Sequence, residues 1–154
     1  MNQKIQRTSI HVNKKANFDY ETIETLEAGV ILHGWEVKAL REKSTNLKGS
    51  YVSLKNDSPV VIGWHITPYR QWGITLGQNP TRDRTLLLKS KDIIRISEKI
   101  KAGWLTLIPR EIYFKGNLLK VEVALVRGRK DYNKKQLLKE RTLNREAEVA
   151  MKHY

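Results

Sequence analysis

Three features of this 154-residue sequence predict a mainly β fold, a small barrel with flanking helices and a basic tail left outside it. The first is a series of short runs rich in β-branched and aromatic residues, separated by Gly, Pro, Asn and Asp. The second is a pair of longer runs, 104–114 and 118–126, which meet at Lys115-Gly116-Asn117 and read as a β-hairpin. The third is the composition after Val126. From there RGRKDYNKKQLLKERTLNREAEVAMKHY carries nine Lys and Arg against four Asp and Glu, with only scattered apolar residues. Such an arm has too little to bury to offset its ordering entropy, so it is expected to be disordered when free. The chain therefore divides into a body, 1–126, and a basic tail, 127–154. Short strands, two helices and a closing hairpin point to an OB-type small barrel for the body.

Residues 1–8 form a polar lead, and 11–25 read as one or two strands from the partial alternation of Ile10, Val12, Phe18 and Tyr20. The run LEAGVILHGWEVKALREK then changes period. Leu26, Val30, Val37 and Leu40 fall on one helical stripe that also holds Gly34, predicting a helix near 26–42. Its glycines weaken a helix by about 1 kcal/mol each relative to Ala, and their place on the inner stripe suggests close packing against a sheet. Strands follow near 51–54 and 60–66, across a turn at 55–59. Pro68, Gly73, Gly77 and Pro80 break any periodicity over 67–82, and 85–89 is a strand or a lead into the next helix. Ser90 suits the N-cap of a helix over 91–100, where Ile93, Ile96 and Ile100 share a face. In the last strand Leu119, Val121, Val123 and Leu125 alternate with Lys120 and Glu122.

Lys and Arg number 29 against 16 Asp and Glu, a net charge of +13. That is the footprint of a protein that neutralises phosphates and gains affinity from released counterions. An anionic membrane would call instead for a basic amphipathic helix with exposed aromatics or a lipidation signal, and neither is evident. No apolar run reaches membrane-spanning length. The absence of cysteine removes disulfides and thiolate metal sites, and the first fifteen residues lack the apolar core of a secretory signal. A monomer in the cytoplasm is the expectation.

Catalytic signatures are sparse. His11, His33, His65 and His153 are far apart, and there is no phosphate loop or nucleophile elbow. His33 and Glu36 stand one helical turn apart, which would suit a metal pair in a nuclease. With no second ligand motif to close a site, a surface pair on a helix is preferred, and no enzyme activity, metal or cofactor is expected. Binding features are better populated. Asn13-Lys14-Lys15, the turn at 79–84 with Arg82 and Arg84, and Arg127-Gly128-Arg129-Lys130 are short cationic segments of the kind that hold a phosphate backbone. Trp35, Tyr69, Trp72 and Tyr113 are candidate stacking platforms. Core packing is favoured for Tyr113, Trp35 is even between the two roles, and Trp72 in its Gly-flanked loop is expected to be exposed. For the tail, a merely solubilising role stands beside binding to a polyanion.

The motifs themselves are more specific than the composition. Asn13-Lys14-Lys15-Ala16, Asp19-Tyr20-Glu21, Glu27-Ala28-Gly29-Val30 and Gly34-Trp35-Glu36-Val37-Lys38-Ala39-Leu40-Arg41 resemble the SmpB family, the protein partners of transfer-messenger RNA in bacterial ribosome rescue. The resemblance continues through Gly49-Ser50-Tyr51, Ile66-Thr67-Pro68-Tyr69, Asn79-Pro80-Thr81-Arg82, Leu86-Leu87-Leu88, Leu107-Ile108-Pro109, Ile112-Tyr113-Phe114 and Gly128-Arg129-Lys130 with Tyr132. It implies an OB-type barrel, without catalytic activity, that binds the tRNA-like domain of transfer-messenger RNA. It also implies a tail that enters the empty mRNA channel of a stalled ribosome and becomes helical near the decoding centre, against small-subunit rRNA. Alanyl-tRNA synthetase and elongation factor Tu are the implied indirect partners.

The family's RNA-contacting surface maps onto Asn13, Lys14, Lys15, Glu27, Leu87 and Lys120. Its ribosome-active tail maps onto Gly128, Arg129, Lys130, Asp131, Tyr132, Lys134, Lys135, Lys139 and Arg141. Asn17 and Phe18 depart from the family's usual Arg-His, which removes a cation from the implied RNA face. Glu27 is anomalous for plain phosphate binding, but a carboxylate can accept hydrogen bonds from base amino groups and so read a specific RNA shape.

Overall fold

The computed structural model describes residues 6–55, 58–68, 78–128 and 138–146. The elements run β1 (Arg7–Val12), α1 (Lys14–Asp19), β2 (Tyr20–Val30), α2 (Gly34–Arg41), β3 (Thr45–Asn46), β4 (Tyr51–Lys55), β5 (Ser58–Ile62) and β6 (His65–Ile66). They continue with β7 (Arg84–Leu87), α3 (Ser90–Gly103), β8 (Thr106–Lys115) and β9 (Leu118–Gly128). The pairing order β8-β4-β5-β7-β2-β9 returns to β8 through the β8–β9 hairpin, so six antiparallel strands close into a barrel. The joins through β7 are short, Gly29–Val30 of β2 on one side and Val60–Val61 of β5 on the other. β1 is added outside the ring, on the β8 edge, with Arg7 opposite Lys115 and Val12 opposite Glu111. This is the small barrel with flanking helices that the sequence predicts.

Alternation places the core. Val121, Val123 and Leu125 of β9 point inward and join Ala28, Leu40, Leu47, Val61, Trp64, Leu86, Ile96 and Ile112 in one buried cluster. Ala124 and Val126 alternate to the outer face, where α1 lays Ala16 over them and Ile108 in a second, smaller cluster. The strand outlasts the expected boundary at Val126: Arg127 pairs with Glu21 and Gly128 with Tyr20.

The helix expected near 26–42 forms only over its second half. Residues 26–30 lie in β2 and pair with β9 from Leu26–Val123 to Ala28–Val121. The misreading has a physical cause, because the four-residue spacing of Leu26 and Val30 fits a period of 2 as well as one of 3.6. Gly34 does not mark close packing either, since a Cβ there would meet nothing within 4 Å. Gly29 does, but within a strand: its Cβ would stand 3.3 Å from Leu87 Cβ. The short α1 interrupts what reads as continuous strand, its start fixed by Asn13, whose Oδ1 accepts from the Ala16 amide at 3.3 Å. Ser90 is the first residue of α3 rather than its cap; Lys89 holds the N-cap position without a side-chain bond.

His33 and Glu36 form no surface pair. Glu36 is wholly buried, and its Oε1 accepts from the His33 amide at 2.8 Å and from Arg82 Nη2 at 2.5 Å. Its Oε2 accepts from Nε of Arg84, which is equally buried. Arg84 spends its other donors on the Trp64 carbonyl, 2.5 Å, and the Pro80 carbonyl, 3.1 Å. The two arginines of the 79–84 turn thus knit α2 to the strand pair β5–β7 instead of facing a phosphate backbone. Burial would raise the Glu36 carboxyl, but hydrogen bonds from Arg82, His33 and Arg84 hold it below the usual carboxylate range. Removing this carboxylate leaves two guanidinium groups facing each other, one of them with no access to water. Glu36→Ala should therefore lower unfolding free energy by about 3–5 kcal/mol in denaturant titration. In the unaltered protein, the carboxylate's contribution is complete above its ordinary pKa and fades as pH falls through the depressed one.

Candidate nucleic-acid interface

Glu27 stands on the outer face of β2, opposite Glu122 of β9. Tyr113 of β8 donates its hydroxyl to Glu27 Oε2 at 2.5 Å, and Lys115 Nζ lies 3.4 Å from Oε1. The hydrogen bond from Tyr113, and then Lys115 and Lys120, hold the carboxyl below its usual range. Burial and the Glu27 partner push the Tyr113 phenol up, so it remains a donor. Arg7 stacks its guanidinium 3.7 Å over the Tyr113 ring and pairs with Glu111 at 2.6 Å. The result is an exposed, ionised acceptor fixed in direction, with lone pairs left for an outside donor.

Around it the topology gathers two more of the residues expected to touch RNA. Gly29 pairs with Leu87 of β7, and because Gly29 has no side chain Leu87 is left 56% exposed. Lys120 is opposite Tyr113 and precedes Val121 by one residue as Gly29 follows Ala28, so the antiparallel Ala28–Val121 pairing brings it beside Gly29 on the same face. An acceptor, an apolar side chain and a cation thus share one patch.

Lys14 and Lys15 are exposed on α1, which covers the same outer face toward the other end of β8 and β9. Asn13 departs from expectation. It is only 5% exposed, and its Nδ2 donates to the Leu47 carbonyl at 3.3 Å and the Pro109 carbonyl at 3.2 Å. With Oδ1 capping α1, both its Nδ2 hydrogens and one Oδ1 lone pair are taken inside the protein, and its cap sets where Lys14 and Lys15 emerge.

The stacking candidates divide. Tyr113 is buried, but on the outer face beneath Arg7 with its hydroxyl on Glu27; Trp35 packs against the core, and Tyr69 and Trp72 lie outside the described residues. Two exposed aromatics are ones that sequence reasoning missed as platforms, Tyr51 on β4 and Trp104, 97% accessible at the end of α3. The Trp104 φ of 57° is left-handed, and the Gly103-Trp104 pair gives little warning of it, since the glycine would be expected to take that conformation. Of the tail positions, Gly128 ends β9, while Arg129, Lys130, Asp131, Tyr132, Lys134 and Lys135 lie outside the described residues. Lys139 and Arg141 sit in the helical segment 138–146, exposed throughout, with Thr142 bonded to the Leu138 carbonyl at 3.0 Å. The Arg141 guanidinium lies 5.9 Å from the Phe18 ring of α1. Among the described residues no helix is long and apolar enough to cross a membrane, and no group of three or more His, Asp or Glu could hold a metal.

The family model for the SmpB protein matches residues 10–153, barrel and tail together. The chain belongs to the SmpB family. The SsrA-binding protein of Streptococcus agalactiae serotype III (strain NEM316) is 42% identical over 142 residues, 92% of this chain and 91% of that one. The SsrA-binding protein of Sulfurihydrogenibium sp. (strain YO3AOP1) is 40% identical over 152 residues, 99% and 97% of the two chains. A solved structure described as "tmRNA-SmpB: a journey to the center of the bacterial ribosome" superposes with a TM-score of 0.64 at 36% identity, covering 79% of this chain and 85% of its own.

The Tyr113–Glu27 bond makes a prediction independent of any ligand. Tyr113→Phe removes the largest influence holding the Glu27 carboxyl down, so its pKa should rise toward the ordinary glutamate value of about 4.3 in a carboxyl-detected NMR titration. An unmoved Glu27 would mean that the lysines alone hold it.

Proposed function

We propose that this protein binds the tRNA-like domain of transfer-messenger RNA through the barrel and carries it to stalled ribosomes for trans-translation, as a non-enzymatic adaptor of the cytoplasm. The observation that carries the reading is that the family match runs unbroken from the barrel into the tail, residues 10–153. A match that takes in barrel and tail together suits an adaptor with two surfaces. Glu27, Leu87 and Lys120 form the discriminating patch, and Lys14 and Lys15 add phosphate contacts. Alanyl-tRNA synthetase and elongation factor Tu act on the RNA in this scheme and meet the protein only indirectly. The tail occupies the empty mRNA channel near the decoding centre, against small-subunit rRNA. Its helical segment 138–146 leaves Lys139 and Arg141 exposed to solvent, which suits that role.

Gel-shift competition between the tRNA-like domain, intact tRNA and single-stranded RNA tests the barrel assignment. Glu27→Ala should weaken binding to the tRNA-like domain by about 5–150-fold, the worth of one good base-edge contact. The same change should slightly tighten non-specific RNA binding, because it removes a negative charge from a cationic face. Tightening of both would leave Glu27 a surface acid and sink the patch.

The tail is tested by separating helix from charge. Pro in place of Leu143, in the interior of 138–146, costs a helix about 3 kcal/mol and removes no cation. Leu143→Pro should leave binding to free transfer-messenger RNA unchanged and abolish most peptide tagging in a reconstituted translation assay. A chain ending at Gly128, which keeps all of β9, should behave the same way. Normal tagging by Leu143→Pro would reduce the tail to a flexible polycation.

A further inference from the structure

We propose that Lys43 and Lys48 join Lys14 and Lys15 in a phosphate-binding cleft that takes a stretch of RNA backbone. This rests on the RNA-binding reading above and adds two contacts to it.

The cleft, of about 660 Å³, lies between β1, the start of α1 and the loops around Lys43 and Asn46–Lys48. The four lysines line it with His11 and Asn46, and no carboxylate does. None of the four forms an ion pair with a described residue, whereas Arg7, Arg82, Arg84, Arg95, Lys99 and Lys115 all do. Four like charges around one concavity repel each other, and a polyanion is what relieves that repulsion. Several phosphates in sequence fit such a wall better than a single anion does.

Lys43 is held at a conformational disadvantage. It follows α2 with a φ of 57°. Its amide bonds the Leu40 carbonyl and the Ser44 amide bonds the Ala39 carbonyl, both at 3.0 Å. That is the Schellman arrangement, whose left-handed position is usually glycine because a Cβ strains it. A lysine kept there trades stability for a cation at the rim of the cleft, and strain of this kind gathers at functional positions.

Lys48 is presented by a clamp on its neighbour. The Leu47 side chain is fully buried, its amide donates to His11 Nε2 at 3.3 Å, and its carbonyl accepts from Asn13 Nδ2, Ser50 Oγ and the Ser50 amide. The Lys48 amide is tied in turn to Asn46 Oδ1 at 2.9 Å. Asn13 therefore fixes two cationic segments at once, Lys14-Lys15 through its cap and Lys48 through Leu47. Lysines act as point charges without a directional fork, so the cleft should add affinity and salt dependence but no selectivity.

The test uses the full chain as wild type, Lys43→Gly, Lys48→Gln and the double variant. Affinity for the tRNA-like domain and for an unrelated single-stranded RNA is measured across a salt series. Each lost contact should flatten the slope of log affinity against log salt by about one, and the double variant by about two, with the preference between the two RNAs unchanged. Lys43→Gly should also melt at or above the wild-type temperature, since it relieves the strain, so weaker binding could not be blamed on unfolding. Slopes equal to wild type with both RNAs overturn the cleft. A melting temperature below wild type for Lys43→Gly overturns the strain argument for that residue. Should the wild type show no preference for the tRNA-like domain, the proposed function fails, while the slopes on either RNA still decide the cleft.

Discussion

Everything in this molecule hangs on β8 having two used edges. One edge pairs with β9 along its whole length, from Thr106–Val126 to Lys115–Leu118. The other is shared, with β4 meeting it at Leu107 and β1 taking over from Glu111 to Lys115. The first edge closes the barrel and the second adds a strand outside it. The register shift between Pro109 and Glu111 lies where the second edge changes partner, and there Asn13 bonds the Pro109 carbonyl while its own amide bonds Arg110. A bulge re-aims a strand. Here it coincides with the bonds of Asn13, the cap of α1, so the position of Lys14 and Lys15 is tied to where β8 changes partner.

The closing hairpin and α3 are legible in the sequence because their periodicity admits one reading. β9 alternates over many residues, and Gly116-Asn117 gives its turn. Within 14–30 only the strand over 20–25 is legible. A six-residue helix is too short to establish a 3.6 period, and Leu26 and Val30 satisfy both periods equally. Tertiary pairing with β9 decided the second case, and an asparagine cap with two distant carbonyls as partners decided the first. Neither can be seen from neighbours along the chain.

The candidate site follows the same division. Family resemblance points to Glu27, Leu87 and Lys120, and only the register of β7, β2 and β9 brings them to one patch around Gly29. The same resemblance points to Asn13, which the fold buries and bonds internally, because a motif does not state whether its residue faces outward. The turn arginines at 82 and 84 misled for a related reason. A cationic turn looks alike whether its charges face solvent or a buried carboxylate, and Glu36, 46 and 48 residues away, is the partner that composition cannot reveal.

The two best-defined glutamates show how one chemical group serves two ends here. Glu36 and Glu27 both have depressed carboxyl pKa values, yet Glu36 gives its acceptor capacity to internal donors from three residues while Glu27 gives up only part of its own. The cations sort in parallel. Arg82 and Arg84 spend their forked donors on carboxylate and carbonyls within the fold, which a guanidinium does well and an ammonium poorly. Lys14, Lys15, Lys43 and Lys48 remain in solvent around a cleft, and a hydrated point charge pays little to stay there. A net charge of +13 therefore says less about binding than its division does. The charge that holds the barrel together at Glu36 is arginine, and the charge the barrel leaves unspent around the cleft is lysine.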